Sequence, residues 1–327
     1  MFAYIVRRAL QGALVLFVVA FIAFAMFRFM GDPLQSLLGQ EATELDRAEL
    51  RERLGLNDPV IVQFARFVGG AVQGEFGISY RNGVPVADMI AQRLPATLEL
   101  AVVSAIFAAV LGIGLGVYTA IRRDGWLANA IMSASLIGVS LPTFLIGVLL
   151  IWLFAVELGW LPSFGRGETG ELFGWRSSLV TVSGLKSMIL PALTLGLYQM
   201  TLVMRLVRAE MLEVLRTDYI RFARARGLSE RAVNFGHALK NTLVPVITII
   251  GLQLGQITAF AIVTETVFQW PGVGLLFINA VQFVDIPVMA TYLLLVGVLF
   301  VAINLVVDIL YAVVDPRLRV ERPAGRA

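Results

Sequence analysis

The chain has 327 residues, 58% of them hydrophobic and only 15% charged, with a mean hydropathy of +0.82. Soluble domains carry about a quarter charged residues, so an ordinary water-soluble enzyme is excluded. There is no cysteine, which rules out disulfides and thiolate metal sites. The net charge of +3 and pI of 9.4 do not argue for nucleic acid, because the basic residues gather beside apolar runs.

About 20 apolar residues are needed to cross a hydrocarbon core of roughly 30 Å. Of the long runs that lack Asp, Glu, Lys and Arg, six suit a membrane helix: 9–27, 100–121, 125–156, 187–204, 241–264 and 286–307, with lengths of 19, 22, 32, 18, 24 and 22. The predicted fold is all-α: a polytopic membrane protein with six transmembrane helices, both termini cytoplasmic, and a small extracytoplasmic subdomain between helices 1 and 2. The expected organisation is an N-terminal segment and first helix at 1–30 and the subdomain at 31–97. A five-helix core at 98–315 follows, with a cytoplasmic loop at 209–241, and then a cytoplasmic tail at 316–327.

The orientation follows from Lys and Arg, which are enriched on cytoplasmic flanks. With the N-terminus inside, 16 of the 26 basic residues fall on cytoplasmic segments, eight of them between Arg205 and Lys240. Most of the rest lie in or next to the long segment 31–97, which is too long to be strongly governed by the charge rule and carries offsetting acids. Arg7 and Arg8 before an apolar stretch resemble a signal peptide, yet the stretch is 19 residues long and ends in Phe27, Arg28, Phe29 and Met30 without a small-x-small site. It is read as a retained helix.

In the extracytoplasmic segment, Leu45 to Leu54 interleaves charges with Leu45, Ala48, Leu50 and Leu54 as a surface helix does, and Gly55 stops it. Ile61 to Val68 predicts a short helix after Pro59, and Gly74, Gly77, Asn82 and Gly83 predict turns. Gly112, Gly114 and Gly116 in the second span, and Gly251 and Gly255 in the fifth, allow close helix packing. The alternative for the second group is that they face a pathway together with Gln253 and Gln256.

The stretch 209–241 is basic yet helical in pattern. Thr217 and Asp218 can cap a helix in which Tyr219, Ile220, Phe222, Ala223 and Ala225 alternate with Arg221, Arg224 and Arg226, and Gly227 ends it. Ser229 can cap a second short helix beside Arg231, His237 and Lys240. Two such helices, hinged at a glycine, are either an interfacial element on anionic lipid or a docking element for a cytoplasmic protein. Further on, Gln269, Trp270, Pro271, Gly272 and Gly274 break the uncharged run 266–284, which is read as a loop or partial helix.

Several chemistries are excluded or disfavoured. The two lysines, Lys186 and Lys240, do not sit in a Gly-x-x-x-x-Gly-Lys-Ser/Thr loop, so the chain cannot cradle a nucleotide by that device. A single histidine, His237, in the cytoplasmic loop argues against an intramembrane serine protease, and one His with no Cys argues against zinc. Asp308 is the one titratable residue well inside a span and lies near its inner end, which makes a proton-coupled transporter a lesser alternative, as is a channel. Glu99, Glu157 and Glu265 near outer span ends are read as interfacial or helix-end charges rather than substrate ligands.

The segment Asp218-Tyr219-Ile220-Arg221-Phe222-Ala223-Arg224-Ala225-Arg226-Gly227-Leu228-Ser229, with His237-Ala238-Leu239-Lys240-Asn241 and Val244-Pro245, resembles the cytoplasmic coupling loop of ABC importer permeases, and within them the dipeptide and oligopeptide branch. The general importer pattern is Glu-Ala-Ala, three residues, Gly, nine residues, Ile-x-Leu-Pro, and Ala223, Gly227 and Leu239 fit it. Further segments resemble the same branch in order, among them Leu54-Gly55-Leu56-Asn57-Asp58-Pro59, Arg93-Leu94-Pro95-Ala96-Thr97-Leu98-Glu99-Leu100 and Ser140-Leu141-Pro142-Thr143-Phe144. Trp270-Pro271-Gly272-Val273-Gly274 and Asp315-Pro316-Arg317 continue the series.

The resemblance implies a bacterial inner-membrane permease without catalytic residues, metal or cofactor of its own. Its implied partners are a second homologous permease, two cytoplasmic ATPases, an extracytoplasmic solute-binding protein and membrane lipid, with no nucleic acid. The expected ATPase-coupling residues are Tyr219, Arg221, Phe222, Ala223, Arg224, Gly227, Leu228, Ser229 and His237. Glu265, Phe268, Trp270, Pro271, Gly272 and Gly274 are expected to form an outer gate or binding-protein contact, with Phe268 and Trp270 anchored at the interface. The implied substrates are dipeptides, oligopeptides or related solutes such as glutathione and nickel chelates.

Overall fold

The computed structural model describes residues 2–29, 45, 48, 52, 57–172 and 174–314. The Leu45 to Leu54 helix as a whole and the Asp315-Pro316-Arg317 tail therefore lie outside the described residues, as do the side chains of Gln256 and Asp308. In chain order the helices are α1 (Phe2–Phe29), α2 (Val60–Gln73), α3 (Val86–Ile121), α4 (Trp126–Ser140) and α5 (Thr143–Leu150), which runs on as a π-helical turn (Ile151–Glu157). After a hairpin of β1 (Gly170–Leu172) and β2 (Trp175–Ser177) come α6 (Val182–Val214) and α7 (Asp218–Ala225). A π-helical turn (Ala232–Ala238) then leads into α8 (Leu239–Val267), and α9 (Val273–Gln282) and α10 (Ile286–Val314) complete the order.

Among the described residues four stretches are long and apolar enough to cross a membrane: Val6–Met26, Val86–Ile121, Val182–Val214 and Ile286–Val307. A fifth arises if α4 and the Thr143–Glu157 segment count as one span, although they meet at 110°. Hydropathy alone reads 125–156 as one straight helix. The bend falls at Leu141, whose extended backbone (φ −91°, ψ 139°) precedes Pro142, and a residue before proline is pushed out of the α region. At 29 residues α8 is long enough to span as well, reaching about 43 Å at 1.5 Å per residue.

The 36 residues of α3 extend about 54 Å, more than the hydrocarbon thickness. It begins at Val86 and passes through Pro95, so its first turns stand clear of the uncharged run. Its parallel partner is α6, with Ser104 beside Gly196, Gly112 beside Met200 and Gly116 beside Val207, the most extensive helix pair among the described residues. Glycines make this approach possible: a Cβ on Gly112 would lie 2.9 Å from the Met200 carbonyl, and one on Gly116 would lie 2.7 Å from Val207. Gly251 meets Val307 and Gly255 meets Phe300 in the same way, so both serve the α8–α10 contact rather than an open path.

α2 follows Pro59, as expected, though it runs on to Gln73, and packs Phe64 edge-on against Phe17, Phe21 and Phe24 of α1. The uncharged 266–284 run resolves into the end of α8, a tight turn and α9. The hairpin at 170–177 is a departure from an all-helical expectation, small enough that its strands carry three residues each.

Candidate functional site

At the arginine-rich end of the bundle, α7 is a two-turn helix with two different faces. Ile220 and Ala223 are buried against Val117 and Ala120 of α3, Val203 and Val207 of α6, and Val233 and Ala238 of the following turn. Tyr219, Phe222 and Leu228 stay outside, and Phe222 is 64% exposed. Asp218 sits in the first turn, where a negative charge suits the helix dipole, and pairs with Arg221 at 3.1 Å.

The helix ends as a Schellman motif. The Gly227 N–H donates to the Arg224 carbonyl at 2.9 Å and the Leu228 N–H to the Ala223 carbonyl at 3.4 Å, while Gly227 holds φ +80°. Across that glycine, Arg224 grips Glu230 through Nε and Nη2, at 3.0 and 3.3 Å. The Asn241 side-chain amide donates to the Tyr219 hydroxyl at 2.6 Å and ties α7 to the root of α8. Ser229 Oγ accepts from the Ala232 N–H at 3.3 Å, a capping contact at the start of the next segment.

That next segment is not a separate short helix. Ala238 and Leu239 both keep right-handed helical backbone, and the π-helical turn flows into α8. His237 is exposed on it. The uncharged run begins only at 241, but α8 starts at Leu239 and takes in Lys240; Pro245 lies within it, as proline can in a long apolar helix whose neighbours support it. The expected Thr217 side-chain cap is also missing: its hydroxyl donates back to the Val214 carbonyl at 2.6 Å.

The opposite end holds a buried polar knot. Glu265, at the end of α8, is 0% exposed. Its carboxylate accepts the Thr97 hydroxyl at 2.5 Å and the Leu275 N–H at 2.9 Å, and Thr97 Oγ1 in turn accepts the Val273 N–H at 2.9 Å. The turn closes tightly because the Trp270 N–H donates to the Glu265 carbonyl at 2.8 Å and Gln269 takes up φ 48°. A Cβ on Gly272 would overlap the Glu265 carboxylate, and one on Gly274 would come within 2.9 Å of it. These glycines therefore make room for the buried carboxyl group of Glu265.

Phe268 and Trp270 are buried too, at 1% and 0% exposure, and the Trp270 indole donates to the Ala96 carbonyl at 2.9 Å. They meet the chain's own helices rather than the membrane interface. Beside them, Arg166 from the loop after α5 bridges to Glu99 of α3 at 2.7 Å and to the Arg176 carbonyl at 2.8 Å. Glu99 is thus a buried partner rather than an interfacial charge, and the same correction applies to Glu265. A third carboxylate, Asp285, accepts the Ser79 hydroxyl at 2.5 Å and the Tyr80 N–H at 3.1 Å. Burial and the nearby Asp285 charge push the Tyr80 phenol up to about 12, so it stays protonated at neutral pH.

The expected coupling residues thus come together at one end and the expected outer-turn residues at the other. Gln253 belongs to neither group; its side-chain oxygen is buried mid-helix in α8 without a hydrogen-bond partner among the described residues, as is that of Gln199 in α6. Sequence reasoning missed Thr97, Arg166, Asp285 and Ser79 as members of polar knots. Only Thr97 carries a local signal, its place beside Pro95 and Glu99.

Comparison with known proteins identifies the family. Residues 112–320 match the family described as binding-protein-dependent transport system inner membrane component, and residues 1–101 match its N-terminal counterpart. The chain is 38% identical to the dipeptide transport system permease protein DppB of Alkalihalophilus pseudofirmus, over 98% of this chain and all of that one. It is 39% identical to the glutathione transport system permease protein GsiC of Escherichia coli K12, over 98% of this chain and 99% of that one. Among solved structures, the MetNI methionine ABC transporter in inward-facing conformations shares the fold, with a TM-score of 0.55 at 20% identity, covering 69% of this chain and 96% of the other. The chain belongs to the family of binding-protein-dependent transport system inner membrane components, the permease subunits of ABC importers.

Proposed function

We propose that this chain forms half of a translocation pathway with a second, homologous permease, crosses the bacterial inner membrane six times with both termini cytoplasmic, and carries peptide-type solutes handed over by an extracytoplasmic binding protein. The relatives named for dipeptides and glutathione support that substrate class. ATP is hydrolysed on two separate ATPase subunits. The observation that carries the reading is the two-faced helix α7, anchored by Ile220 and Ala223 while Tyr219, Phe222 and Leu228 face outward at the basic end. A short rigid helix of this kind fits a cleft on a motor subunit and passes its closure to α6 and α8, which flank it in the chain.

At the other end, the Glu265 to Gly274 turn acts as an outer gate. Its hydrogen bonds to Thr97 of α3 would have to loosen or move as a block for the mouth to open, so its rigidity is that of a latch. The binding protein meets the exposed loops around it rather than the buried Phe268 and Trp270. Reconstitution tests the whole reading: proteoliposomes holding this chain with its partner permease and ATPases should accumulate a dipeptide only when both ATP and the binding protein are supplied. Uptake that ignores ATP, or that follows a proton gradient alone, would contradict it.

A further inference from the structure

Between the ends of α3 and α6 and the segment after α7 lies a cavity of about 300 Å³. Arg123, Arg216 and Arg224 reach it from three separate stretches of chain. Glu230 is the one carboxylate in its wall and is already held by Arg224, while Arg123 has an exposed partner in Asp124 at 3.2 Å. Arg216 forms no ion pair among the described residues. The wall thus carries excess positive charge presented by guanidinium groups, whose planar forks match a phosphate.

Its position points to the source of that phosphate. Ile121, the last residue of the apolar helix α3, is part of the wall, so the cavity sits where hydrocarbon gives way to headgroups. Trp126, which opens α4 a few residues later, is 80% exposed, as interfacial tryptophans are. Basic pockets between membrane helices on the cytoplasmic side hold anionic lipid headgroups. We propose that this cavity binds the phosphate of an anionic phospholipid of the inner leaflet, its acyl chains leaving over Ile121. The assignment to that leaflet rests on the topology proposed above. Arg221, exposed on α7, lies outside the wall, so the site differs from a general attraction of the basic helix to a charged surface. Because Arg224 also holds Glu230 across Gly227, an occupied cavity steadies α7 against α3 and α6.

Native mass spectrometry of the full chain, exchanged from phosphatidylcholine nanodiscs into ones that also contain phosphatidylglycerol, tests this without relying on ATPase partners or on sidedness. The unaltered chain should retain phosphatidylglycerol, and Arg216→Gln and Arg123→Gln should each cut retention several-fold. Arg205→Gln, an exposed arginine of α6 outside the cavity, should keep it, and Arg216→Lys should restore part of it. Equal loss with Arg205→Gln, or full retention by Arg216→Gln, would overturn the proposal. If inorganic phosphate displaces the lipid completely at equal concentration, the site is one for free anions and the lipid assignment is wrong.

Discussion

Thr97 of α3 and Glu265 of α8, 168 positions apart, share a hydrogen bond of 2.5 Å in which the threonine hydroxyl also accepts from the Val273 amide. One small side chain therefore joins two long helices and the start of α9. Thr97→Val keeps the shape but leaves the buried Val273 amide unpaired, a loss of about 1–3 kcal/mol. The purified permease complex should melt several degrees lower, and Thr97→Ser should recover most of the difference.

The overlap that a Cβ on Gly272 would make with the Glu265 carboxylate gives a second test. Gly272→Ala should destabilise by about 1–3 kcal/mol through overpacking. Combining it with Glu265→Ala removes the clash, so the two changes should be non-additive, with a coupling of about 0.5–3 kcal/mol in a double-mutant cycle read by thermal melting. Simple additivity would separate the glycine from the carboxylate.

Glu99 and Arg166 pair where both side chains are 9% exposed or less. Removing one charge strands the other, which costs about 3–5 kcal/mol. Glu99→Ala should therefore sharply reduce the amount of folded complex, whereas joining it with Arg166→Met should restore much of it.

Much of this architecture is legible from uncharged runs, because a membrane helix must satisfy its backbone internally and so announces itself by length. The α7 helix is equally legible, since Asp218 and Gly227 mark its ends in a local code. The break at Leu141–Pro142 was visible only as a proline, because hydropathy records depth and not direction. The continuity from Ala232 into α8 is hidden by Lys240, a charge that closes the uncharged run and looks like a boundary when neighbouring helices are unknown. The buried carboxyl groups are illegible for a different reason: the Arg166 partner of Glu99 lies 67 positions away and the Thr97 donor to Glu265 lies 168 away, so these contacts leave no short-range pattern.

Gly227 separates two kinds of constraint. Beyond its own chain neighbours, no atom of the described residues lies within 4 Å of where its Cβ would be, yet its φ of +80° is costly for other residues. A β-branched side chain there should cost about 1–2 kcal/mol, so Gly227→Val should displace α7 while Gly227→Asn, which tolerates this backbone, should be nearly silent. Substrate-stimulated ATP hydrolysis by the assembled transporter should fall in the first variant and not in the second.

The claim that α7 is the contact through which an ATPase drives this permease is tested most directly by cross-linking. The chain has no native cysteine, so Phe222→Cys places a single thiol on the exposed face of α7, and Trp160→Cys places one in the loop at the other end. In membranes holding the assembled transporter, a short bifunctional thiol reagent should join position 222 to an ATPase subunit carrying a cysteine in its surface cleft, with a yield that changes when ATP is bound, and should never join position 160. A transporter that imports its substrate normally, yet gives no cross-link from position 222 to any cleft position of the ATPase, would contradict the account.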